Sequence, residues 1–345
     1  MSTMKIVVAP DSFKECLDAG SVSRIIADEI SKNRPEWEVL CCPLSDGGEG
    51  FHMLLTEAMC GDIVSARVTG PLGEPAYCTY GRVGETAILD AASCCGLQLV
   101  PEGRRNPLLT TSRGLGELMM EAFGKGCRSF IIGLGGSATC DGGEGMMSAE
   151  GILELEGAVS IDVLCDVRNP FVGENGAAKI FGPQKGAYPE DVILLEKRML
   201  ERAAKIMDDT GIDVSSLPGT GAAGGLAGAL YAYLGAELRP GIAAVLDYLD
   251  FDSIASGAGW IITGEGRSDN QTLSGKVPMG VLMNASESKV ALLSGIITDK
   301  KALADVGFSR LIEVTPPGVP LSEALNPAVA EENLRNAARE FLRSI

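Results

Sequence analysis

Histidine is almost missing from this chain, with one copy, His52, in 345 residues. A triad built on histidine would rest on that residue alone. It stands on the helix expected after the segment PLSDGGEG, where it reads as a surface or packing residue rather than a general base. Basic charge is also short. There are 29 Lys and Arg against 46 Asp and Glu, a formal net charge of −17. That excludes the basic face a nucleic-acid partner requires and disfavours an anionic membrane surface. No apolar run is long enough for a membrane span. The one long uncharged stretch, residues 214–236, is rich in glycine and alanine and reads as a loop feeding a buried helix. The ten cysteines include no C-x-x-C pair, so a structural zinc site and a disulfide framework are both disfavoured. Reduced thiols in a cytoplasmic protein are expected. G-x-x-x-x-G-K-[ST] is absent, which excludes a Walker-type phosphate loop. The run MSTMKIVVAPDS is too short in apolar residues for a signal peptide.

What the chain has in excess is glycine, 44 residues, about twice the usual share of roughly 7%. The glycines cluster between apolar runs, as turns and close-approach loops. MKIVVAP (4–10) and WEVLCCPL (37–44) read as buried strands, each followed by a loop and a helix. That repeat argues for βαβ units and a parallel sheet. Residues 62–90 change style, to alternating runs with Gly-Pro turns, and read as antiparallel hairpins. Strands are expected again at 128–136, 163–167, 260–266, 289–296 and 310–315, and an amphipathic helix closes the chain. The expected class is α/β with two α/β domains. Residues 1–65 and 288–345 would form a parallel-sheet Rossmann/flavodoxin-like domain from both termini. Residues 66–287 would form an inserted mixed-sheet domain.

One pentapeptide, DGGEG, occurs twice, at 46–50 and 141–145. In open α/β sheets ligands sit beyond the carboxyl ends of strands, and acids and glycines gather at several such ends here. They include Asp11-Ser12-Phe13-Lys14, Asp46-Gly47-Gly48, Gly135-Gly136-Ser137, Asp141, Asp166 and Gly264-Glu265-Gly266-Arg267-Ser268-Asp269. Glycine loops offer N–H groups to an anion, and carboxylates hold Mg²⁺ or take a hydroxyl proton. These are the parts of a phosphoryl-transfer site. A helix cap is the plainer reading of Asp46 or Asp141 alone. G-x-G-x-x-G at 219–224 follows DVSSLP, which is too short and polar for the strand a dinucleotide fold needs, so a phosphate loop or a tight helix start stays open.

The segments VVAPDSFKECLDA, PLSDGGEGF, RNPLLTTSRGLGELM, IIGLGGSATCDGGEGM, LCDVRNPFVGENGAAKIFGPQKGA, LPGTGAAGGLAGAL, LGAELRPGI and ITGEGRSDNQTLSGKVPMGV span nearly the whole chain. In order and in wording they resemble the bacterial-type glycerate kinases. The resemblance implies ATP, Mg²⁺ and D-glycerate, with an active-site cleft between two α/β domains. Cys140, Glu144, Ser268 and Asn270 depart from the family's usual Asn, Ala, Ile and Gly, which bears on substrate preference more than on the reaction. On this reading Arg267 and Arg168 are candidates to grip the substrate carboxylate bidentately, each with a surface ion pair as the alternative. Lys14 would meet the transferred phosphate. Asp11, Ser12, Gly47, Gly48, Gly135, Gly136, Ser137 and Lys276 would contact phosphates or substrate. Asp166, Glu265 and Asp269 would face the metal. Asp46 and Asp141 would orient or deprotonate the acceptor hydroxyl, with one DGGEG copy expected in each domain. Glu49 and Glu144 would be first-turn helix residues.

Overall fold

The structure, a computed structural model, describes residues 3–13, 15–48 and 50–345. It is α/β, with eleven strands among the described residues: β1 (Lys5–Val8), β2 (Glu38–Cys41), β3 (Asp62–Thr69), β4 (Pro75–Val83), β5 (Thr86–Asp90), β6 (Ser129–Gly133), β7 (Ser160–Leu164), β8 (Glu237–Arg239), β9 (Trp260–Ser268), β10 (Lys289–Ile297) and β11 (Arg310–Glu313). The chain divides into two compact units, Met1–Asp46 with Ile242–Ile345, and Gly47–Gly241. These joins differ from the expected 65/66 and 287/288. Helix Phe51–Ala58 packs on β4 and β5, which draws the segment after Asp46 into the inserted unit. At the other join, β9 pairs with β1 and β10, which draws residues before 287 into the terminal unit.

The terminal unit holds a five-stranded sheet in the order β11-β10-β9-β1-β2, parallel throughout. KIVV and WIIT bury nearly every side chain, as a strand covered on both faces must. Ile6, Val8, Ile262, Leu293, Leu334 and Phe341 share one core, in which Trp260 meets Phe341 edge-on at 5.3 Å. Each such side chain contributes about 1.5–3 kcal/mol by leaving water. Helix Ala19–Asn33 begins where the carboxylate of Asp18 accepts the Ser21 N–H at 2.8 Å. It packs against helix Pro327–Arg343, and the buried Glu29 carboxylate accepts from Arg339 Nε at 2.7 Å across that pair. β9 runs straight through TGEGRS to Ser268, past the expected strand at 260–266. β10 continues alongside it, pairing Ile296 with Arg267 and Ile297 with Ser268.

The inserted unit holds a six-stranded mixed sheet, β3-β4-β5-β6-β7-β8. Its first three strands are antiparallel and the remaining pairs parallel. Tyr80, Leu89, Phe130, Ile132, Val163, Leu226 and Leu230 lie in its main core. Residues 219–224 lead into the buried helix Ala222–Leu234 with no strand before them. Their glycines serve close packing: a Cβ at Gly224 would stand 2.1 Å from the Thr139 carbonyl oxygen. The 22-residue helix Pro189–Thr210 completes this unit and goes beyond the elements expected. Among the described residues no helix is long and apolar enough to cross a membrane, and all ten cysteines are free.

Candidate functional site

In the terminal unit the chain leaves β1 for β2 on one side and later returns to fill β9, β10 and β11 on the other. The strand order therefore reverses between β1 and β9. Two crossovers leave in opposite directions there, and such a switch point is the usual ligand position of open α/β sheets. The segment after β1 keeps close to its neighbours: Ala9 N–H donates to Ile262 O, Asp11 N–H to Gly264 O, and Leu44 N–H to Pro10 O. Asp11 and Asp46 thus follow the carboxyl ends of β1 and β2, and the Glu265–Asp269 stretch forms the carboxyl end of the adjacent β9.

Their side chains are not equivalent. Asp11 is buried, and its Oδ1 accepts the Ser12 N–H at 2.7 Å. Asp46 is half-buried and makes no hydrogen bond or ion pair among the described residues. Glu265, 5% exposed, accepts from the Ser268 hydroxyl at 2.9 Å and the Thr272 hydroxyl at 2.5 Å, and Lys276 Nζ stands 3.6 Å from its other oxygen. That carboxylate is consumed in holding the end of β9 to the turn after it. Asp269 accepts the Gln271 N–H at 2.8 Å and faces Arg267 Nε at 3.4 Å. Arg267 is exposed, so this pair is weak and its guanidinium remains available to a ligand. Lys14 lies outside the described residues.

The inserted unit gathers its glycines at the ends of β6 and β7. Gly47 O accepts the Gly135 N–H at 3.3 Å, and a Cβ on Gly133 would stand 2.6 Å from that same Gly47 oxygen. A Cβ on Gly47 would meet Leu164 Cβ at 3.1 Å, and one on Gly135 would meet Gly48 Cα at 2.8 Å. These glycines permit backbone to lie on backbone. Gly47 onward belongs to the inserted unit, so the expectation of one DGGEG copy per domain is corrected. Beyond β6, Gly135 and Gly136 are exposed while Ser137 is buried. Asp166 and Arg168 follow β7 and are exposed; Asp166 Oδ1 accepts the Gly241 N–H at 2.7 Å.

Asp141 makes the contacts of a helix cap. One oxygen accepts from Ser112 N–H and Ser112 Oγ, both at 2.8 Å, and from Gly145 N–H at 3.2 Å. The other accepts from Gly143 N–H at 3.1 Å. The carboxylate thereby holds the start of helix Arg113–Gly124 to that of helix Glu144–Met147. Glu144 is in the first helical turn, as expected, and Glu49 lies outside the described residues. A cavity of about 310 Å³ opens beside Asp141, lined also by Leu108, Thr110, Cys140, Arg198 and Arg202.

Two sites were not visible to sequence reasoning. Asp90, buried at the end of β5, accepts from Gly50 N–H, His52 N–H and His52 Nδ1 at 2.8–2.9 Å. With Nδ1–H donating there, Nε2 takes the Thr79 hydroxyl at 2.9 Å. His52 is consequently a packing residue, held on both ring nitrogens. The second is Lys185, from the quoted FGPQKGA. It is 4% exposed, and its Nζ donates to Ser137 Oγ at 2.9 Å and Thr139 O at 2.6 Å. The only sequence signal was a lone lysine between glycines, which also describes many surface turns.

Among the described residues no three His, Cys, Asp or Glu side chains form a group able to hold a metal ion. Mg²⁺ does not require such a group, since one or two carboxylates hold it together with phosphates and water. Of the three expected metal-side carboxylates, Glu265 is taken up by Ser268, Thr272 and Lys276.

Comparison with known proteins covers the whole chain. The model of the glycerate kinase family matches residues 6–157 and 153–345. A glycerate kinase of Bacillus subtilis (strain 168) is 39% identical, across 99% of this chain and 98% of that protein. A glycerate 2-kinase of Escherichia coli (strain K12) is 38% identical, with the same coverage. A crystal structure assigned as glycerate kinase 2 from Salmonella typhimurium LT2 superposes with a TM-score of 0.85 at 40% identity, covering 99% of this chain and 98% of that one.

Proposed function

Because the chain belongs to the glycerate kinase family, phosphotransferases with an alcohol group as acceptor, we propose that it transfers the γ-phosphoryl group of ATP to D-glycerate, using Mg²⁺ and giving 2-phosphoglycerate. The observation that carries this reading is the switch point between β1 and β9, where Asp11, Ser12, Asp46, Arg267 and Asp269 follow adjoining strand ends. Phosphoryl transfer asks a protein for positioning and charge stabilisation more than for covalent chemistry. The exposed Arg267 supplies a planar fork for a carboxylate or phosphate. Asp46, with no hydrogen bond among the described residues, is the carboxylate available to orient the acceptor hydroxyl. Asp269 is the terminal-unit carboxylate that would hold Mg²⁺, which when bound neutralises charge on the transferring phosphates. Gly135, Gly136 and Ser137, in the inserted unit, would offer hydrogen-bond donors to a phosphate or to the substrate. Lys14 and Lys276 of the terminal unit, and Gly47, Gly48, Asp166 and Arg168 of the inserted unit, would be further contacts for phosphate, substrate or metal.

The test is ADP formation with ATP and Mg²⁺ across D-glycerate, L-glycerate, glycolate and tartronate. NMR of the product then identifies the phosphorylated hydroxyl. Preference for D-glycerate and a 2-phosphate are expected, the regiochemistry that the name of the Escherichia coli relative carries. A 3-phosphate would revise the regiochemistry. Acid binding without acceptor-dependent ADP would leave a small-acid sensor.

A further inference from the structure

Lys185 is a costly charge placement in the inserted unit. Its side chain is almost wholly out of water, yet its Nζ meets only a hydroxyl and a backbone carbonyl. No carboxylate among the described residues comes within ion-pair reach. Isolated charges are rarely kept in a protein interior without a partner. Burial pushes the Lys185 ammonium pKa down, while Cys140, Cys95 and Asp141 act in the opposite direction.

The turn above it has the complementary features. Because Nζ donates to Ser137 Oγ, that oxygen is an acceptor, and its own proton is turned away from the ammonium. Gly136 O accepts Leu97 N–H, and Ala138 N–H donates to Cys95 O, which pins the turn to the segment after β5. The N–H groups of Gly136 and Ser137 make no hydrogen bond among the described residues. Gly136 has φ +73°, and successive N–H groups through such a residue converge into an anion-binding concavity. Gly135 and Gly136 are exposed, so this concavity has an open side.

We propose that Lys185 is a positioning residue that turns residues 135–137 into an anion site, seating a carboxylate or a phosphoryl oxygen on the Gly136 and Ser137 N–H groups and the Ser137 hydroxyl. The ligand supplies the counter-charge that the protein withholds. The proposal deepens the kinase reading and rests on it for the ligand's identity. It does not rest on it for the site's existence.

Lys185→Met and Ser137→Ala test it in the full chain, with inorganic phosphate and D-glycerate as separate probes in calorimetry and thermal shift. Lys185→Met should melt at or above the wild-type temperature without ligand, since a desolvated charge is removed. It should lose affinity roughly 10- to 100-fold for the probe that the wild type binds, the loss expected for a charged hydrogen-bonding partner. Ser137→Ala should lose about tenfold or less and melt below the wild type, because the buried ammonium loses one of its two acceptors. Loss on the phosphate arm marks a phosphoryl seat, and loss on the glycerate arm a carboxylate seat. In turnover the Lys185→Met defect should fall on KM for the seated ligand more than on kcat. Wild-type affinity in Lys185→Met, failure of that variant to fold, or no binding of either probe to the wild type would each overturn the proposal. If phosphate binds in a Lys185-dependent way but no acceptor yields ADP, the kinase reading falls and the anion site stands. If Lys185→Met forms ADP from glycerate with the wild-type KM, the anion site falls and the kinase reading stands.

Discussion

Replacing Asp141 separates a cap from a catalytic base. Its carboxylate takes four donors, from Ser112 N–H, Ser112 Oγ, Gly143 N–H and Gly145 N–H. Hydrogen bonds to a charged group contribute about 1.5–3 kcal/mol each, and a lost helix cap costs about 0.5–2. Asp141 is half-buried, so water replaces part of what is lost. The two short Ser112 bonds then dominate, and Asp141→Ala should cost about 3–4 kcal/mol. At roughly 2–4 °C per kcal/mol for domains of 150–250 residues, the melting temperature should fall by about 6–16 °C. Asp141→Asn keeps one acceptor oxygen for Ser112 but turns an amide toward a glycine N–H, so about half that loss is expected. The assay pairs thermal and urea unfolding with turnover at 25 °C. The folded variant should retain turnover within about threefold, against the 10²–10⁴-fold that removal of a general base costs. Asp141→Asn melting at the wild-type temperature with turnover down a hundredfold would refute the cap.

Asp46→Asn should do the reverse: a stability change within about 0.5 kcal/mol, because no partner among the described residues is lost, and a turnover loss of at least tenfold. Glu29 is buried and bonded to Arg339 at 2.7 Å and Asn33 at 3.0 Å, with Arg335 at 3.7 Å; Glu29→Ala should cost about 2–3 kcal/mol in unfolding experiments, reduced from a fully buried pair because both arginines are about one-third exposed. The Arg339 hydrogen bond holds the Glu29 pKa below its ordinary 4.5, so its stabilisation is complete above that value and disappears as pH falls through the lowered one. A Glu29→Gln variant should accordingly show a shallower loss of stability in acid titrations, and an unchanged acid limb would count against the assignment. Gly133→Ala would place a methyl 2.6 Å from the Gly47 oxygen; a loss of about 1–3 kcal/mol is expected, and a wild-type melting curve would show the approach to be looser than described. Thiol titration of the native protein should find Cys41 and Cys60 reacting ahead of the buried cysteines, among them Cys42, whose pKa is pushed up to about 12 by burial.

Much of the architecture was legible because it is local. KIVV, SFIIG and KVALLSGII announce buried strands through continuous β-branched and aliphatic runs, and the hairpins of residues 62–90 through alternation and Gly-Pro turns. The close-approach role of the glycines followed from composition alone. Helix Pro189–Thr210 was less visible, since it carries charge around much of its surface and only Leu195, Met199, Arg202, Ala203 and Ile206 are buried. The joins between units slipped because membership depends on what a segment packs against. Phe51–Ala58 has the same sequence pattern whichever sheet it covers, and β4 and β5 decide the matter.

Site chemistry divides along the same line. Residue types and their order were enough to show which loops carry acids and glycines, and to tie the chain to its family. They also argued against a basic binding face and left any histidine triad to His52 alone, because counts and types of side chain do not depend on folding. What each carboxylate does emerges only in the folded chain. Asp141 and Asp46 open the same pentapeptide, yet one is saturated by donors from Ser112, twenty-nine residues away, and the other makes no bond among the described residues. Lys185 became a buried cation only when the chain brought it under Ser137, forty-eight residues earlier. A side chain's charge is written in the sequence, but its desolvation and its partners are set by residues far along the chain, and those two quantities govern whether it caps, packs or binds.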